Sequence, residues 1–316
     1  MTPGPVLAVV GATATGKSDV AVALCEALDG EAVNADSMQV YVGMDVGTAK
    51  LTGVERRGVP HHLLDLWPVT RPAAVAEYQR LARTAFADVR ARGRVPVLVG
   101  GSGLYVRAAL DDLRFPGTDP AVRARLQAEA DEAGALAMHE RLRVVDPAAA
   151  AAILPGNVRR TVRALEVVEL TGRPFSASLP APGAASRAVP AVVVGLRRDR
   201  GDVDRRIAAR VDRMWEQGLV AEVEHLRGLG LEDGPTASRA VGYAQVLDLL
   251  AGRLDEAEAR ARTVSATRRL VRRQESWFGA DPDVAWVDVG EGDTVEDLLA
   301  RVRPEVERRL QGMMGR

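Results

Sequence analysis

Residues 11–18 read GATATGKS and match the phosphate-binding pattern G-x-x-x-x-G-K-[ST]. An apolar run, Val6–Val10, precedes this stretch, and a segment with helical spacing follows it. A loop between a strand and a helix turns its backbone N–H groups toward a phosphate, and the helix N-terminus adds partial positive charge. Lys17 is then expected to neutralise phosphate oxygens, and the Ser18 hydroxyl to hold a Mg²⁺ ion. The predicted phosphate-binding residues are Gly11, Ala12, Thr13, Ala14, Thr15, Gly16, Lys17 and Ser18.

Lysine is rare in this chain, which has only Lys17 and Lys50 among its 42 lysine and arginine residues. An ammonium group is a compact point charge, whereas a guanidinium is a planar fork. Arginine fills almost every other cationic position, so a lysine at position 17 indicates that this site needs an ammonium. The sequence therefore predicts a protein that binds a polyphosphate.

The composition is that of a globular protein, with 47% hydrophobic and 27% charged residues. Its 316 residues exceed what one hydrophobic core usually holds, so we expect a main domain and a second domain. No apolar run reaches membrane-spanning length, and no signal peptide precedes Val6. The single cysteine, Cys25, permits no internal disulfide and lies on the apolar face of the first predicted helix, as a core residue would. These features predict a cytoplasmic protein with no membrane partner.

The net charge of −1 argues against a protein that coats nucleic acid over its whole surface. A local basic face is compatible with this charge, because arginines cluster at residues 197–213 and 268–273. The four histidines match no metal-ligand spacing.

Strand-like and helix-like segments alternate over residues 6–110, which predicts a doubly wound parallel sheet. Binding sites in such sheets form at the carboxyl ends of the strands. The phosphate-binding loop, Asp36–Gln39 and Gly100–Ser102 each follow an apolar strand. We therefore expect these three stretches to converge on one cleft.

The character of the chain changes from about Pro116, where helix-like segments run on without a strand until Ala191–Leu196. The segment Phe175–Pro190, rich in Pro, Ala and Ser, predicts a mobile connection. The predicted fold class is α/β, with a P-loop NTPase-like parallel sheet core flanked by helices and an all-helical insertion. The predicted boundaries are 1–115 and 191–316 for the core and 116–190 for the insertion.

The motifs around the predicted cleft resemble those of the tRNA dimethylallyltransferases, also called tRNA isopentenyltransferases. They span almost the whole chain in the family's order: GATATGKS (11–18), NADSMQVYVGMDVGTAK (34–50), PHHLLD (60–65), VPVLVGGSGLYVRA (95–108), RALEV (163–167), RAVGYAQ (239–245) and TRRLVRRQESWF (267–278). Two positions depart from the usual pattern, since the family commonly has Pro at position 12 and Thr at position 102. The hydroxyl is retained in Ser102, so the resemblance stands.

The resemblance implies transfer of a dimethylallyl group from dimethylallyl diphosphate to N6 of the adenosine immediately 3′ of the anticodon in tRNA. It also implies a core like that of small-molecule kinases and a helical insertion that grips the anticodon arm. The expected cofactor is the Mg²⁺ ion that the P-loop predicts at Ser18. We expect a monomeric enzyme.

The chemistry of the cleft needs a base for the acceptor amine and positive charge for the leaving diphosphate. An exocyclic amine becomes acidic as its bond to carbon forms, and a carboxylate can then accept the proton. Asp36 matches the family's catalytic aspartate; taken alone, it is also compatible with a helix cap or a Mg²⁺ ligand. The resemblance places Ser102 near the reacting centre, where the alternative is a turn hydroxyl. It makes Arg210 the diphosphate-binding arginine, which by itself would be an exposed helix charge.

The acceptor base has to leave its stack to reach a buried carboxylate, so base flipping is implied. By resemblance the residues that meet tRNA are Asp36, Ser37, Met38, Gln39, Ser102, Arg123, Arg159, Arg160, Arg163, Arg239, Gly242 and Tyr243. Arg268–Arg273 suit phosphates or a solvated helix face equally well. The sequence assigns no role to Lys50, and His61 and His62 are interpreted as a turn-packing pair.

Two other classes of protein are compatible with a P-loop. A small-molecule or nucleotide kinase would show an Arg-rich lid and ATP turnover, and this chain instead has a long helical insertion. A GTPase-like switch needs an [NT]-K-x-D motif, and the only lysine outside the P-loop, Lys50, lies in Ala49–Thr52. A generic NTPase would have an apolar strand that ends in Asp for Mg²⁺, whereas Val95–Val99 is followed by Gly100–Ser102.

Overall fold

A parallel sheet forms the centre of the molecule in the computed structural model, which describes residues 4–178 and 187–314. Its strand order is β3-β2-β4-β1-β5-β6, and every neighbouring pair is parallel. The strands are β1 Val6–Gly11, β2 Gly30–Asn34, β3 His61–His62, β4 Val95–Gly100, β5 Ala191–Arg198 and β6 Val284–Val289. Runs of Val, Leu and Ala make up most of β1, β4 and β5, because both faces of a parallel sheet are covered by helices. The predicted parallel sheet is confirmed.

Helices cover both faces of this sheet in the first of two compact units, residues 1–111 and 187–316. They are α1 Lys17–Leu28, α2 Val75–Ala91, α3 Gly103–Leu110, α9 Arg200–Glu216, α10 Leu219–Gly228, α11 Tyr243–Leu250, α12 Glu256–Gly279 and α13 Val295–Met314. The apolar side of α1 packs into a core that includes Val20, Leu24 and Cys25. Burial raises the pKa of the Cys25 thiol to about 12, so the thiol stays neutral, as expected of a core residue.

The second compact unit comprises residues 112–186 and is helical where it is described. Its helices are α4 Pro120–Ala133, α5 Ala135–Val145, α6 Pro147–Ala152, α7 Val158–Thr171 and α8 Phe175–Ser178. It has its own core around Leu126, Leu142 and Leu165. Asp119 and Asp146 cap α4 and α6, each accepting backbone N–H groups of the first helical turn. This unit begins and ends within a few residues of the predicted boundaries at 116 and 190.

The predictions differ from the structure in two segments. Phe175–Pro190 was expected to be a mobile connection, but its first four residues form a short helix and residues 179–186 lie outside the described part of the chain. His61 and His62 form the edge strand β3 and pair with β2, whereas a turn was predicted. In the described ranges, no helix is long and apolar enough to span a membrane.

Candidate active site

The loop between β1 and α1 has the backbone of a phosphate cradle. Gly11 has a φ of +145°, and a Cβ at this position would lie 2.7 Å from the Leu196 carbonyl oxygen. Gly16 caps α1 in the left-handed region, with a φ of +91°. None of the described residues supplies an acceptor for the backbone N–H groups of Ala14, Thr15 and Gly16. These N–H groups at a helix N-terminus are therefore free to bind an anion.

The carbonyl groups of the same loop are held by side chains. Thr15 Oγ1 donates to Ala12 O at 2.9 Å, and Arg206 Nε donates to Ala14 O at 3.0 Å. Arg198, which is buried and paired with Asp202, donates from Nε to Thr15 O at 3.3 Å. Because the carbonyls have these donors, the loop keeps a conformation in which its N–H groups can face a ligand.

Lys17 lies close to two other charged side chains, Asp36 and Arg210. Its Nζ donates to Ala12 O at 3.2 Å. Burial lowers the pKa of Lys17 to about 8, the Asp36 carboxylate acts in the opposite direction, and Arg210 adds to the lowering. The ammonium is thus close enough to Asp36 and Arg210 to interact electrostatically with both.

Asp36 is positioned by a turn directly after β2. The side chain of Asn34 forms that turn: Oδ1 accepts from the Asp36 N–H at 2.9 Å, and Nδ2 donates to the carbonyls of Asp36 and Leu63, each at 3.1 Å. Asp36 Oδ1 accepts from the Met38 N–H at 2.8 Å. One carboxylate oxygen therefore holds the turn, and the other has no hydrogen-bond partner among the described residues.

Ser102 connects the end of β4 to the Asp36 turn. Its Oγ accepts from the Ser37 N–H at 3.0 Å and donates to Ser37 Oγ at 3.1 Å. The two segments approach closely because Gly100 has no side chain, since a Cβ there would lie 2.3 Å from Ala35 O. In this structure the hydroxyl of Ser102 orients the segment that carries Asp36. Its predicted contact with a reacting group stays a prediction.

Arg210 is supplied by α9 and faces the same cleft. Its guanidinium donates from Nη2 to Thr48 O at 3.2 Å. Burial lowers the pKa of Arg210 below its ordinary value, Asp36 opposes this shift, and Arg213 adds to it. Arg206 and Arg213 lie on the same helix. The helix α9 thus brings a group of arginines to the phosphate-binding loop.

Two cavities meet at Lys17 and Arg210. The larger, about 530 Å³, contains the loop residues Gly16 and Ser18 and the arginines of α9. The smaller, about 50 Å³, contains Asp36. Both are lined by Lys17, Ser18, Ala49, Leu51 and Arg210. The larger cavity is also lined by Asp19, Asp45 and Glu55. Thus the structure confirms the predicted convergence of the P-loop and the Asp36 turn, with the cationic side chains of α9 on one side and the Asp36 carboxylate on the other.

Lys50, to which the sequence assigned no role, holds the segment that follows the Asp36 turn. Its buried ammonium donates to Asp45 Oδ1 at 2.5 Å, to Asp65 Oδ1 at 2.6 Å and to the Tyr41 carbonyl at 3.1 Å. These bonds tie residues 41 and 45, which precede β3, to residue 65, which follows it. Lys50 therefore has a structural role here.

Glu222 also holds this segment, and sequence reasoning missed it. Its carboxylate accepts the backbone N–H groups of Asp45, Val46 and Gly47 at 3.2, 2.7 and 3.2 Å. It also accepts the Tyr243 hydroxyl at 2.5 Å. The next residue of the segment, Thr48, carries the carbonyl that binds Arg210. No motif around Glu222 pointed to this contact.

The residues predicted to meet tRNA fall in both units. Asp36, Ser37, Met38, Gln39 and Ser102 are half-buried at the cleft. Gln39 Nε2 donates to the carbonyls of Thr48 and Ala49, so its amide is already engaged.

Three further residues that were predicted to meet tRNA lie in the unit that contains the sheet, and their exposure differs. Arg239 is exposed, whereas Gly242 and Tyr243 are buried. Tyr243 therefore presents no side-chain surface to RNA in this structure, and its hydroxyl holds Glu222 instead.

The four predicted arginines of the insertion have different surroundings. Arg123 and Arg163 both donate to Glu166, which is fully buried. Burial alone would raise the pKa of Glu166, but these two hydrogen bonds lower it below its ordinary value. Arg159 and Arg160 are exposed on α7 and have no ion pair among the described residues. Both side chains are therefore free to bind a phosphate.

The arginines at 268–273 of α12 and the two histidines of β3 remain to be placed. Arg268 pairs with Asp204, whereas Arg269, Arg272 and Arg273 are exposed. His62 Nε2 lies 2.5 Å from Glu31 Oε2, and two arginines also pair with this buried carboxylate. His61 Nδ1 lies 2.9 Å from the Val59 carbonyl oxygen, and its ring lines the smaller cavity.

Named proteins are similar in sequence to this chain over most of its length. The family model described as IPP transferase matches residues 39–281. The tRNA dimethylallyltransferase of Salinispora arenicola is 64% identical over 300 residues, which cover 95% of this chain and 87% of the relative. That of Thermobifida fusca is 62% identical over 302 residues, covering 94% of each chain.

Solved structures share the fold. The full-length tRNA isopentenylpyrophosphate transferase from Bacillus halodurans matches with a TM-score of 0.70 at 36% identity, covering 99% of both chains. A eukaryotic dimethylallyltransferase, solved acting on tRNA, matches with a TM-score of 0.75 at 23% identity, covering 97% of this chain and 77% of that one. At this lower identity the likeness concerns the fold alone.

Proposed function

The chain belongs to the IPP transferase family, and on that premise we propose that it is a tRNA dimethylallyltransferase. It transfers the dimethylallyl group of dimethylallyl diphosphate to N6 of the adenosine immediately 3′ of the anticodon in tRNA. One observation carries this function: the Lys17 and Arg210 cations lie where two cavities meet, and the Asp36 carboxylate lines the smaller of the two. A prenyl diphosphate enters such a site with its charge on the cationic side, and the acceptor amine approaches the carboxylate.

The reaction forms a bond between N6 and the first carbon of the allyl group and breaks the bond from that carbon to the diphosphate oxygen. Negative charge grows on the diphosphate as it leaves. The free N–H groups of the loop, Lys17 and Arg210 stabilise this charge. The amine loses its proton to the free oxygen of Asp36, which the Met38 contact leaves available. Ser102 positions Asp36 through Ser37.

A Mg²⁺ ion fits this site if water and phosphate oxygens supply most of its ligands. Ser18 lines both cavities, and its hydroxyl has no hydrogen-bond partner among the described residues. No group of three or more His, Cys, Asp or Glu residues in the described ranges forms a metal site. Mg²⁺ commonly keeps several waters and is held by few protein ligands together with substrate phosphates. We infer that Ser18 holds the ion, which when bound neutralises charge on the diphosphate.

The acceptor adenosine has to leave its stack to reach Asp36, because that carboxylate is half-buried in the cleft. Arg159 and Arg160 are exposed on α7 of the helical unit without an ion pair among the described residues, so they are suited to phosphates of the anticodon arm. Since its acceptor is tRNA, we place the enzyme in the cytoplasm.

The alternative function, a kinase, lacks a Mg²⁺ ligand at the end of β4, the strand next to the P-loop strand. A P-loop kinase needs a Mg²⁺ ligand from a neighbouring strand and a group that positions the attacking oxygen at the γ-phosphate. Here β4 lies next to β1 and ends at Gly100, before Gly101 and Ser102. The relatives described above are all named as transferases of this family.

A labelling experiment tests the proposed function. The protein is mixed with tRNA, Mg²⁺ and labelled dimethylallyl diphosphate in one tube, and with tRNA, Mg²⁺ and labelled ATP in another. Label is expected to enter tRNA only in the first tube, because the site binds a diphosphate and lacks groups that act on a γ-phosphate. Mass spectrometry of the tRNA nucleosides identifies the product. Formation of ADP at enzymatic rates in the second tube would favour the kinase.

The affinity for dimethylallyl diphosphate should fall as the pH rises from 7 to 9.5. Lys17 has a pKa of about 8 in the free protein, so it loses its charge in this range, whereas an ordinary lysine would not. The diphosphate ester keeps its full charge here, because its last pKa is about 6. The dissociation constant, measured by calorimetry, should rise by up to about tenfold per pH unit above pH 8. Lys17→Gln is the control, because its amide does not titrate, so its weaker affinity should stay constant over this range; constant wild-type affinity from pH 7 to 9.5 would contradict the prediction.

A further inference from the structure

The carboxylate of Glu222 binds three consecutive backbone N–H groups of the segment that borders the cleft. Its Oε2 accepts from Asp45 and Val46, and its Oε1 accepts from Gly47. Successive N–H groups that converge on one point form a binding site for an anion, and here the protein supplies that anion itself. Residues 45–47 are thereby fixed to α10, the helix that carries Glu222.

Tyr243 holds this carboxylate from α11. Its hydroxyl donates to Glu222 Oε1 at 2.5 Å, and its side chain is buried. Burial and the negative charge of Glu222 raise the pKa of Tyr243 above its ordinary value, so the hydroxyl stays protonated and remains a donor. Gly47 admits the ring, because a Cβ there would lie 2.4 Å from Tyr243 Cε2. The carboxylate of Glu222 thus has four donors that fix its orientation.

The next residue, Thr48, presents one carbonyl to both sides of the cleft. This oxygen accepts from Gln39 Nε2 and from Arg210 Nη2, each at 3.2 Å, and so uses both of its lone pairs. Gln39 belongs to the turn that carries Asp36, and Arg210 lines both cavities. Over residues 4–178 and 187–314, the Thr48 carbonyl is the only hydrogen-bond acceptor of Arg210. The position of Thr48 therefore decides how the guanidinium is oriented.

We propose that Glu222 is a positioning residue for the diphosphate site: it fixes residues 45–47, and these place the Thr48 carbonyl that orients Arg210. An arginine side chain loses rotational freedom when it binds a ligand, which weakens binding unless the side chain is already held. The inference rests on the proposed function, in which Arg210 stabilises the leaving diphosphate. It gives Tyr243 a role behind the cleft, in place of the contact with tRNA that the resemblance implied.

The test is a double-mutant cycle on the wild-type protein, Glu222→Gln, Arg210→Ala and the double variant. Calorimetry with Mg²⁺ at neutral pH gives the dissociation constant of inorganic pyrophosphate for each protein. Glutamine turns an NH₂ group toward donors that the carboxylate accepted, so the segment loses part of its anchor. The dissociation constant should rise roughly tenfold, the usual effect of one lost hydrogen bond to a charged group.

The Arg210→Ala background distinguishes positioning from a general structural role. Without Arg210, Glu222→Gln should change the dissociation constant by less than about twofold, because the group through which Glu222 acts is absent. An equal rise in both backgrounds would overturn the inference. Glu224→Gln is the matched control, because Glu224 is exposed on the same helix, and it should leave pyrophosphate binding unchanged.

Tyr243→Phe covers the case in which Glu222→Gln does not fold. It removes only the hydroxyl, so the dissociation constant should rise by about threefold, as expected for one hydrogen bond, and again only when Arg210 is present. The affinity for tRNA, measured by filter binding, should stay at the wild-type value in both variants. A loss of tRNA affinity with unchanged pyrophosphate binding would overturn the inference.

The labelling experiment on the wild-type protein decides the proposed function separately. Prenyl transfer by the wild-type protein, without an effect of Glu222 that depends on Arg210, rejects the inference alone. An effect that depends on Arg210, in a protein that transfers no prenyl group to tRNA, rejects the proposed function and retains the positioning role. A wild-type protein that binds no pyrophosphate contradicts both.

Discussion

Replacing Asp36 by alanine is expected to lower the single-turnover rate of prenyl transfer by ~10²–10⁴-fold, the usual contribution of a positioned general base. The affinity for tRNA should stay within a few-fold, because the base acts on the transition state. The measurement is a single-turnover assay with saturating enzyme, together with a filter-binding titration of tRNA.

Asp36→Asn separates catalysis from the structural role of this residue. The amide oxygen can still accept from the Met38 N–H, so the turn is retained, but the amide cannot take a proton. The rate should therefore fall nearly as far as in the alanine variant. A near-normal rate in Asp36→Asn would mean that Asp36 holds the turn and that another group accepts the proton. Asp212→Ala is the control, because this carboxylate is exposed on α9.

Lys17→Ala should weaken the binding of dimethylallyl diphosphate and also lower the rate, with a combined loss of ~10²–10³-fold in kcat/KM. Lys17 stabilises the diphosphate in the ground state and more strongly as charge develops on it. Arg210→Ala should act in the same direction, because Arg210 lines both cavities with Lys17. The dissociation constant from calorimetry and the single-turnover rate report the two effects separately.

Arg205→Ala is the matched control for Arg210→Ala. Arg205 lies on the same helix but is exposed and pairs with Glu291. Its replacement should change neither binding nor rate by more than about twofold. If Lys17→Ala and Arg210→Ala both leave the two quantities unchanged, the diphosphate binds elsewhere on the protein.

These two predictions concern groups that other residues hold in place. Arg210 binds the carbonyl of Thr48, and the preceding residues 45–47 donate their N–H groups to Glu222. Lys50 ties the same segment to Asp65. Changes at Glu222 or Lys50 are therefore expected to affect the cleft through this segment, although neither residue is assigned to a substrate.

The sequence alone was sufficient for the phosphate-binding loop, the parallel sheet and the position of Asp36 and Ser102 after their strands. Each of these follows from local rules. Glycines at positions 11 and 16 permit backbone angles that other residues avoid, and runs of Val and Leu favour buried parallel strands. Strand ends in such a sheet share one edge, so the convergence of the two motifs could also be predicted.

Only the tertiary structure showed which of the remaining polar residues are engaged with one another. Gln274 and Thr13 are 261 positions apart, and Glu222 and Val46 are 176 apart. Arg123 and Arg163 resemble free RNA-binding arginines in the sequence, yet they neutralise the buried Glu166. Such pairings depend on the approach of distant helices and loops, which no periodicity or spacing in the chain encodes. For that reason the sequence determined where the chemistry is placed, and the packing decided which side chains remain free to perform it.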